Sequence, residues 1–170
     1  NNGEFRTKDI NSLVTVYGWV NKRRDMGGVI FVDLRDRSGI IQIVFNKSNL
    51  KNEFSIAEEL KNEYCIKATG KIISRTKEMI NPKLPTGEVE LMVEALEIIG
   101  ECEALPFNIY EDSQDINENI GLKYRYLDLR RTELQKNIIM RAKITSSIRT
   151  YLNNNYFLEI ETPVLCKSTP

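Results

Sequence analysis

Six side chains in the first ninety residues have the chemistry to hold a single nucleic-acid strand. Lys22, Arg23 and Arg24 form a basic run, and Phe31, Gln42 and Glu90 follow at spacings that place them on separate predicted strands. Arginine and lysine can hold phosphates or the accepting edges of bases. An aromatic face can stack a splayed base, worth about 1–3 kcal/mol. The glutamine amide offers both a donor and an acceptor to a base edge, and a carboxylate accepts from an exocyclic amine. Each residue also has a plainer reading. Phe31 alone fits a core position, and Gln42 or Glu90 alone fits polar surface. Arg35 and Arg37 alternate with Asp33 and Asp36, so these four can also pair among themselves.

The elements that must position these groups can be read from periodicity. Residues 13–20, LVTVYGWV, alternate as a strand does. Residues 21–28 read as a polar turn that carries the basic run and ends in Gly27–Gly28. Residues 29–34 give a second strand, and Ser38–Gly39 turns it into a third at 40–45. Ile56 with Phe54, Ala57 and Leu60 fits a short amphipathic helix, residues 64–74 a fourth strand, and residues 89–99 a fifth. A loop with Pro82 and Pro85 spans 77–87. Three strands, a helix and two more strands is the order of an OB-fold, a five-stranded Greek-key barrel.

The pattern changes after residue 100. The formal net charge of zero hides a separation, because residues 88–120 hold ten acids and no lysine or arginine, while both flanks are basic. That stretch, with Pro106, reads as the end of one domain and a linker. Thr132 followed by Gln135 reads as a capping box. Leu134, Ile138, Ala142, Thr145, Ile148 and Leu152 then recur at helical spacing until Asn153–Asn155. Residues 157–161 alternate as a short strand that Pro163 closes. The sequence thus predicts an OB-fold over 1–100, a linker or hinge over 101–120, and over 121–170 the start of an α/β domain cut before its end.

Composition excludes several function classes. Without histidine, Ser-His and Cys-His catalysis and histidine-ligated metals are excluded within this sequence. Cys65, Cys102 and Cys166 form no CxxC pair, which fits reduced, structural cysteines of a cytoplasmic protein. No apolar run reaches the roughly 18–20 residues of a membrane span. Glu4, Arg6 and Lys8 come too early for a secretory leader.

Four blocks carry a family resemblance. GWVNKRRDMGGVIFVDLRDRSGIIQIVF at 18–45 closely resembles the start of bacterial-type aspartyl-tRNA synthetases. TGEVEL at 86–91 is similar to that family's entry into its fifth strand, and LKYRYLDLRR at 122–131 to its hinge into the catalytic domain. FLEIETPVLCKSTP at 157–170 resembles class II motif 1 and the loop after it. The resemblance implies a class II α/β catalytic domain, an antiparallel sheet with helices, of which only the first helix and strand are present. It implies ATP-dependent attachment of aspartate to tRNA-Asp through aspartyl-adenylate, with magnesium, by a homodimer. It implies that the barrel reads the anticodon: Phe31 and Gln42 stack on and bond the middle base, and Lys22, Arg23, Arg24 and Glu90 make further contacts. Pro163 matches the motif 1 proline of the dimer interface, and Ser168, Thr169 and Pro170 the start of a loop over the aspartate site. Motifs 2 and 3 do not occur here, so no catalytic, ATP-binding or metal-binding residue is expected within the 170 residues and no activity from them alone. Some members also charge tRNA-Asn, and the loops around Met26 and at 77–85 are placed to influence that choice. Lysyl- and asparaginyl-tRNA synthetases share parts of this pattern, and a non-enzymatic single-strand-binding OB protein would account for residues 1–99 alone.

Overall fold

Apolar residues at every second position give the first half of the chain strands with one wet and one dry face, and five such strands close on themselves. The computed structural model describes residues 1–50, 52–109, 116–165 and 167. Contacts divide the chain into two compact units, residues 1–104 and residues 105–170.

The first unit runs β1 (Leu13–Asp25), β2 (Val29–Asp36), β3 (Gly39–Asn46), α1 (Asn52–Glu59), β4 (Cys65–Ser74) and β5 (Val89–Gly100). The strands form a closed barrel in the order β1-β2-β3-β5-β4, the OB-fold architecture expected from the element order. All neighbours are antiparallel except β3 and β5, which meet in a short parallel contact, Ile43 beside Leu91 and Val44 beside Met92. The 13-residue β1 pairs with β4 through its first half and with β2 through its second, and its register on β2 shifts between Val20 and Lys22. A bulge of this kind bends one strand around a barrel. The inner faces supply the core, with Val20, Ile30, Val32, Leu34, Ile41, Ile43, Phe45, Ile66, Ile72, Val89 and Leu91 excluded from solvent. Phe54 and Ala57 of α1, with Leu60 just after it, join that cluster.

The basic run does not lie in a turn. Lys22, Arg23 and Arg24 continue β1 and pair with Asp33, Val32 and Phe31. The connection to β2 needs only Met26, Gly27 and Gly28: the Met26 N–H donates to the Val29 carbonyl at 3.0 Å, and both glycines have positive φ, 72° and 131°. Glycine takes those angles without penalty, so the polar residues before it stay in the strand.

Gly70 is needed for a different reason, a close backbone approach rather than a positive φ. The β4–β5 register shifts between Thr69 and Gly70, and a Cβ on Gly70 would collide with the Met92 carbonyl oxygen. Gly70→Ala is expected to cost about 2–3 kcal/mol, the upper part of the ordinary range for point substitutions. The check is a lower urea midpoint at unchanged slope; an unchanged midpoint would mean that β4 and β5 can part there freely.

The second unit holds α2 (Glu118–Lys123), α3 (Arg125–Asp128) and α4 (Thr132–Asn154). The buried Asp128 carboxylate accepts from Arg125 Nη1 at 2.7 Å and Arg131 Nη1 at 3.1 Å. The expected capping box does not form. Arg131, in extended conformation, is the N-cap of α4, Thr132 is already helical, and no side chain caps the end. The Arg131 N–H is bonded to the Asp128 carbonyl, so the α3 turn itself fixes where α4 starts. Asn155 ends the helix as expected. Residues 157–161 are not a strand. Alternation makes a strand only where a neighbouring strand accepts its ladder bonds, and Phe157, Leu158 and Ile160 are 63%, 86% and 77% exposed. A fork of hydrogen bonds from Arg149 to Glu159, 2.7 and 2.9 Å, ties this segment to α4. Among the described residues no helix is long and apolar enough to cross a membrane. Cys65 and Cys102 are free, half-buried thiols, and Cys166 lies outside the described residues.

Candidate nucleic-acid interface

Strand alternation decides which side chains share the outer face of the barrel. Ile30, Val32 and Leu34 of β2 point into the core, so Phe31 and Asp33 between them point out. Register then builds two rows across three strands. Arg24, Phe31 and Val44 form one; Lys22, Asp33 and Gln42 form the other. The rows floor a pocket of about 270 Å³ lined by Arg24, Met26, Phe31, Asp33, Gln42, Arg75, Met79, Asn81 and Leu84. Its rim comes from the β1–β2 turn and from the loop at 77–87, which the Asn81–Gly87 backbone bond closes.

A polar network fixes the floor. Gln42 is buried, and its Nε2 donates to Glu90 Oε2 at 2.8 Å. Ionised Glu90 can only accept, so the Gln42 amide nitrogen turns toward it and the carbonyl Oε1 turns away. That oxygen accepts from Arg24 Nη2 at 3.2 Å, and the same nitrogen donates to Asp33 Oδ1 at 3.0 Å. Beneath them, Arg75 Nε donates to the Val89 carbonyl at 3.0 Å and stands 3.8 Å from Glu90 Oε2. Burial pushes the Glu90 and Asp33 carboxyls up from their ordinary values; Arg75 and the Gln42 amide pull Glu90 back in part, and Arg24, Arg75 and Lys22 do so for Asp33. Burial likewise lowers Arg75, against the attraction of Glu90 and Asp33. The Arg75 side chain is 3% exposed, and its Nη2 is a buried nitrogen without a hydrogen-bond partner among the described residues. A buried donor left unmade costs about 1–3 kcal/mol, more when charged.

The structure brings together only part of the predicted set. Arg24, Phe31 and Gln42 line the pocket. Phe31 is half-buried and outside the core cluster. Glu90 is buried beside Gln42 rather than on the pocket wall, so neither Gln42 nor Glu90 is surface polar. Lys22 is exposed next to Asp33. Arg23 is turned away: it sits opposite the core residue Val32, and its Nη1 donates to the Glu58 carbonyl at 2.8 Å at the end of α1. A cation there answers the negative end of the helix dipole. Pro163 lies in the exposed segment after α4, in the other unit. Ser168, Thr169 and Pro170 lie outside the described residues.

Three of the interleaved charges have partners outside the set. Asp33 takes Arg24, Arg35 takes Glu63 at 2.9 Å, and Asp36 accepts from the Ser38 and Asn2 backbone. Arg75 is the residue that sequence reasoning missed. The available signal was an arginine directly after the fourth predicted strand, where an antiparallel partner brings it level with the start of β5 and Glu90.

An aromatic face, a carbonyl acceptor and the Arg24 guanidinium converge on one pocket, with Arg75 also in its lining. An acceptor beside a donor can meet a base edge that presents both. Residues 14–99 match the family of OB-fold nucleic acid binding domains, and residues 117–170 match the tRNA synthetases of class II (D, K and N). The chain is 49% identical over 168 residues to the aspartate–tRNA(Asp/Asn) ligase of Caldanaerobacter subterraneus subsp. tengcongensis, covering 99% of this chain and 28% of that protein. It is 53% identical over 161 residues to the aspartate–tRNA ligase of Staphylococcus epidermidis, covering 95% and 27%. The chain therefore spans little more than a quarter of the length of the curated relatives it matches. Among solved structures, asparaginyl-tRNA synthetase from Pyrococcus horikoshii superposes with a TM-score of 0.77 at 26% identity, covering 94% of this chain and 36% of that one. Aspartyl-tRNA synthetase from Entamoeba histolytica shares the fold, with a TM-score of 0.82 at 20% identity over 94% of this chain and 38% of that one. An outward aromatic beside a buried glutamine–glutamate pair thus sits on a barrel with close counterparts, and the chain belongs to the OB-fold nucleic acid binding domain family, in the form carried by aspartyl-type class II synthetases.

Proposed function

We propose that the barrel reads the anticodon of tRNA-Asp for an aspartate–tRNA ligase that forms aspartyl-adenylate from ATP and transfers aspartate to the tRNA. The pocket is the observation that carries this reading: Phe31 offers a stacking face, Gln42 Oε1 accepts, and Arg24 donates. Residues 1–100 form the anticodon-binding domain, 101–120 the hinge, and 121–170 the entry to the catalytic domain. Aminoacylation assays of the full-length protein with tRNA-Asp and tRNA-Asn test the reading. Charging of neither would refute it, and charging of both would define the broader specificity. Relatives named aspartate–tRNA ligase and aspartate–tRNA(Asp/Asn) ligase support that choice of substrates.

Magnesium does not fit the residues described. Among the described residues no three acidic or cysteine side chains cluster tightly enough to hold a metal ion. Asp33 in the pocket and Glu90 beneath it are engaged by arginines and an amide. No step through nucleotide or metal is derived from this chain, and ATP–pyrophosphate exchange is not expected from its 170 residues alone.

Two further parts of the reading concern partners and place. Leu158, Ile160, Val164 and Leu165, between 77% and 98% exposed, flank Pro163 and call for cover; a second copy of the full-length protein, joined about a two-fold axis, supplies it. Sedimentation of the full-length protein checks this: a monomer at micromolar concentration, unaffected by Pro163→Gly, would reject it. A ligase of this kind works in the cytoplasm.

Phosphate contacts add a salt dependence. Lys22 is exposed beside the pocket without lining it, the placement of a backbone contact. Lys22→Ala is expected to flatten the slope of log affinity against log salt by about 0.7, the value for one single-strand phosphate. An unchanged slope would remove Lys22 from the interface.

A further inference from the structure

A carboxylate in the floor of a polyanion site needs a reason, because it repels the phosphates the site must approach. Asp33 is such a group. It lies two residues from Phe31 on the same face of β2, and its side chain is only 18% exposed. It faces Arg24 and Lys22 of β1 and Arg75 beyond the end of β4. Arg24 carries the exposed guanidinium of the site. Its side chain is 45% exposed near the end of a strand, and a free arginine side chain samples many rotamers. One guanidinium nitrogen of Arg24 bridges Asp33 Oδ1 and Gln42 Oε1 at 3.0 and 3.2 Å.

We propose that Asp33 is a positioning residue for base recognition: its carboxylate holds the Arg24 guanidinium across the pocket, beside the Gln42 carbonyl and over the Phe31 face. The inference rests on the anticodon reading and adds a specificity role to a residue that opposes RNA binding by charge. Asp33 has no ligand contact to make; it acts through Arg24. Removing it frees Arg24 to swing toward solvent, where it still attracts phosphates but no longer reads a base. Asp33 therefore raises discrimination between RNAs at some expense of indiscriminate affinity. Simple charge repulsion predicts the opposite, a uniform gain in affinity when the carboxylate is lost.

The test uses the 170-residue chain and two synthetic RNA hairpins, one with the anticodon arm of an aspartate tRNA and one with its middle anticodon base replaced. Wild type is expected to prefer the first. Asp33→Ala is expected to cut that preference about tenfold, a change typical of directly coupled neighbours, through weaker binding of the matched hairpin with the mismatched one unchanged or tighter. In an Arg24→Ala background, adding Asp33→Ala is expected to leave the preference between the hairpins unchanged, any gain in affinity being shared by both. Where a thermal melt shows Asp33→Ala unfolded, the isosteric Asp33→Asn replaces it in every arm. Tighter binding of both hairpins with the preference intact would overturn the proposal. So would an undiminished effect of Asp33→Ala on the preference in the Arg24→Ala background. A wild-type chain that binds the hairpins equally refutes the anticodon reading itself, and the role of Asp33 with it.

Discussion

Phe31→Ala is expected to weaken binding of the matched anticodon hairpin by about 1–3 kcal/mol, the stacking energy of one base, while the melting temperature barely moves. The ring lies outside the core cluster and on the pocket wall. Its truncation therefore removes a ligand surface and opens no enclosed cavity. Had Phe31 been a core residue, the same substitution would cost about 3–5 kcal/mol of stability. In the full-length protein, the proposed adenylate formation is expected to be spared when tRNA is absent. A large drop in melting temperature with unchanged relative affinity for the two hairpins would contradict the stacking role.

Glu90→Ala is expected to strike the fold instead. It strips the buried Arg75 of its counter-charge and Gln42 of its acceptor. Removing one partner of a buried pair costs about 3–5 kcal/mol, because the other charge stays uncompensated. A loss below about 1 kcal/mol, which would be typical of an exposed pair, would mean that water reaches Arg75. Glu90→Gln separates charge from shape through pH. Burial raises the Glu90 carboxyl above its ordinary 4.5, so the folded state keeps its proton to higher pH than the unfolded chain. The stability this contributes is fully present below about 4.5 and is lost as pH rises through the folded value. Relative to Glu90→Gln, wild type is therefore expected to lose stability as pH rises from that point, then to level off. Parallel pH curves for the two proteins would show that Glu90 is solvated.

The barrel was legible because its signals are local and repeated. Ile30, Val32 and Leu34 alternate with Phe31 and Asp33, and that alternation alone sends Phe31 outward. Gly27–Gly28 announced a turn, but not how short it would be, so the basic run was expected off the strand that carries it. Placing Arg23 away from the pocket depended on the same register, since a one-residue shift on a strand reverses the face. The Gln42–Glu90 pair crosses 48 residues of sequence, and the parallel contact of β3 with β5 that aligns it has no local signature. Arg75 was hidden for the same reason, because its partners come from β5. In the second unit, Thr132 and Gln135 had the right types for a capping box, yet the Asp128–Arg131 bonds set the helix start one residue earlier. Residues 157–161 show the converse: strand periodicity is present, but a strand needs a neighbour that this chain does not provide among its described residues.

The central claim is that the outer face of β1, β2 and β3 around Phe31 receives the anticodon bases. Amide and side-chain NMR shifts of the chain, followed while the anticodon hairpin is added, test it most directly. Tyr17 and Trp19, 55% and 42% exposed on the half of β1 that pairs with β4, provide an internal control on another face of the same barrel. The expected result is large, saturable shifts at Arg24, Phe31, Gln42 and Arg75, with Tyr17 and the Trp19 indole unmoved. Shifts concentrated at Tyr17, Trp19 and Lys67, with Phe31 and Gln42 silent, would contradict it.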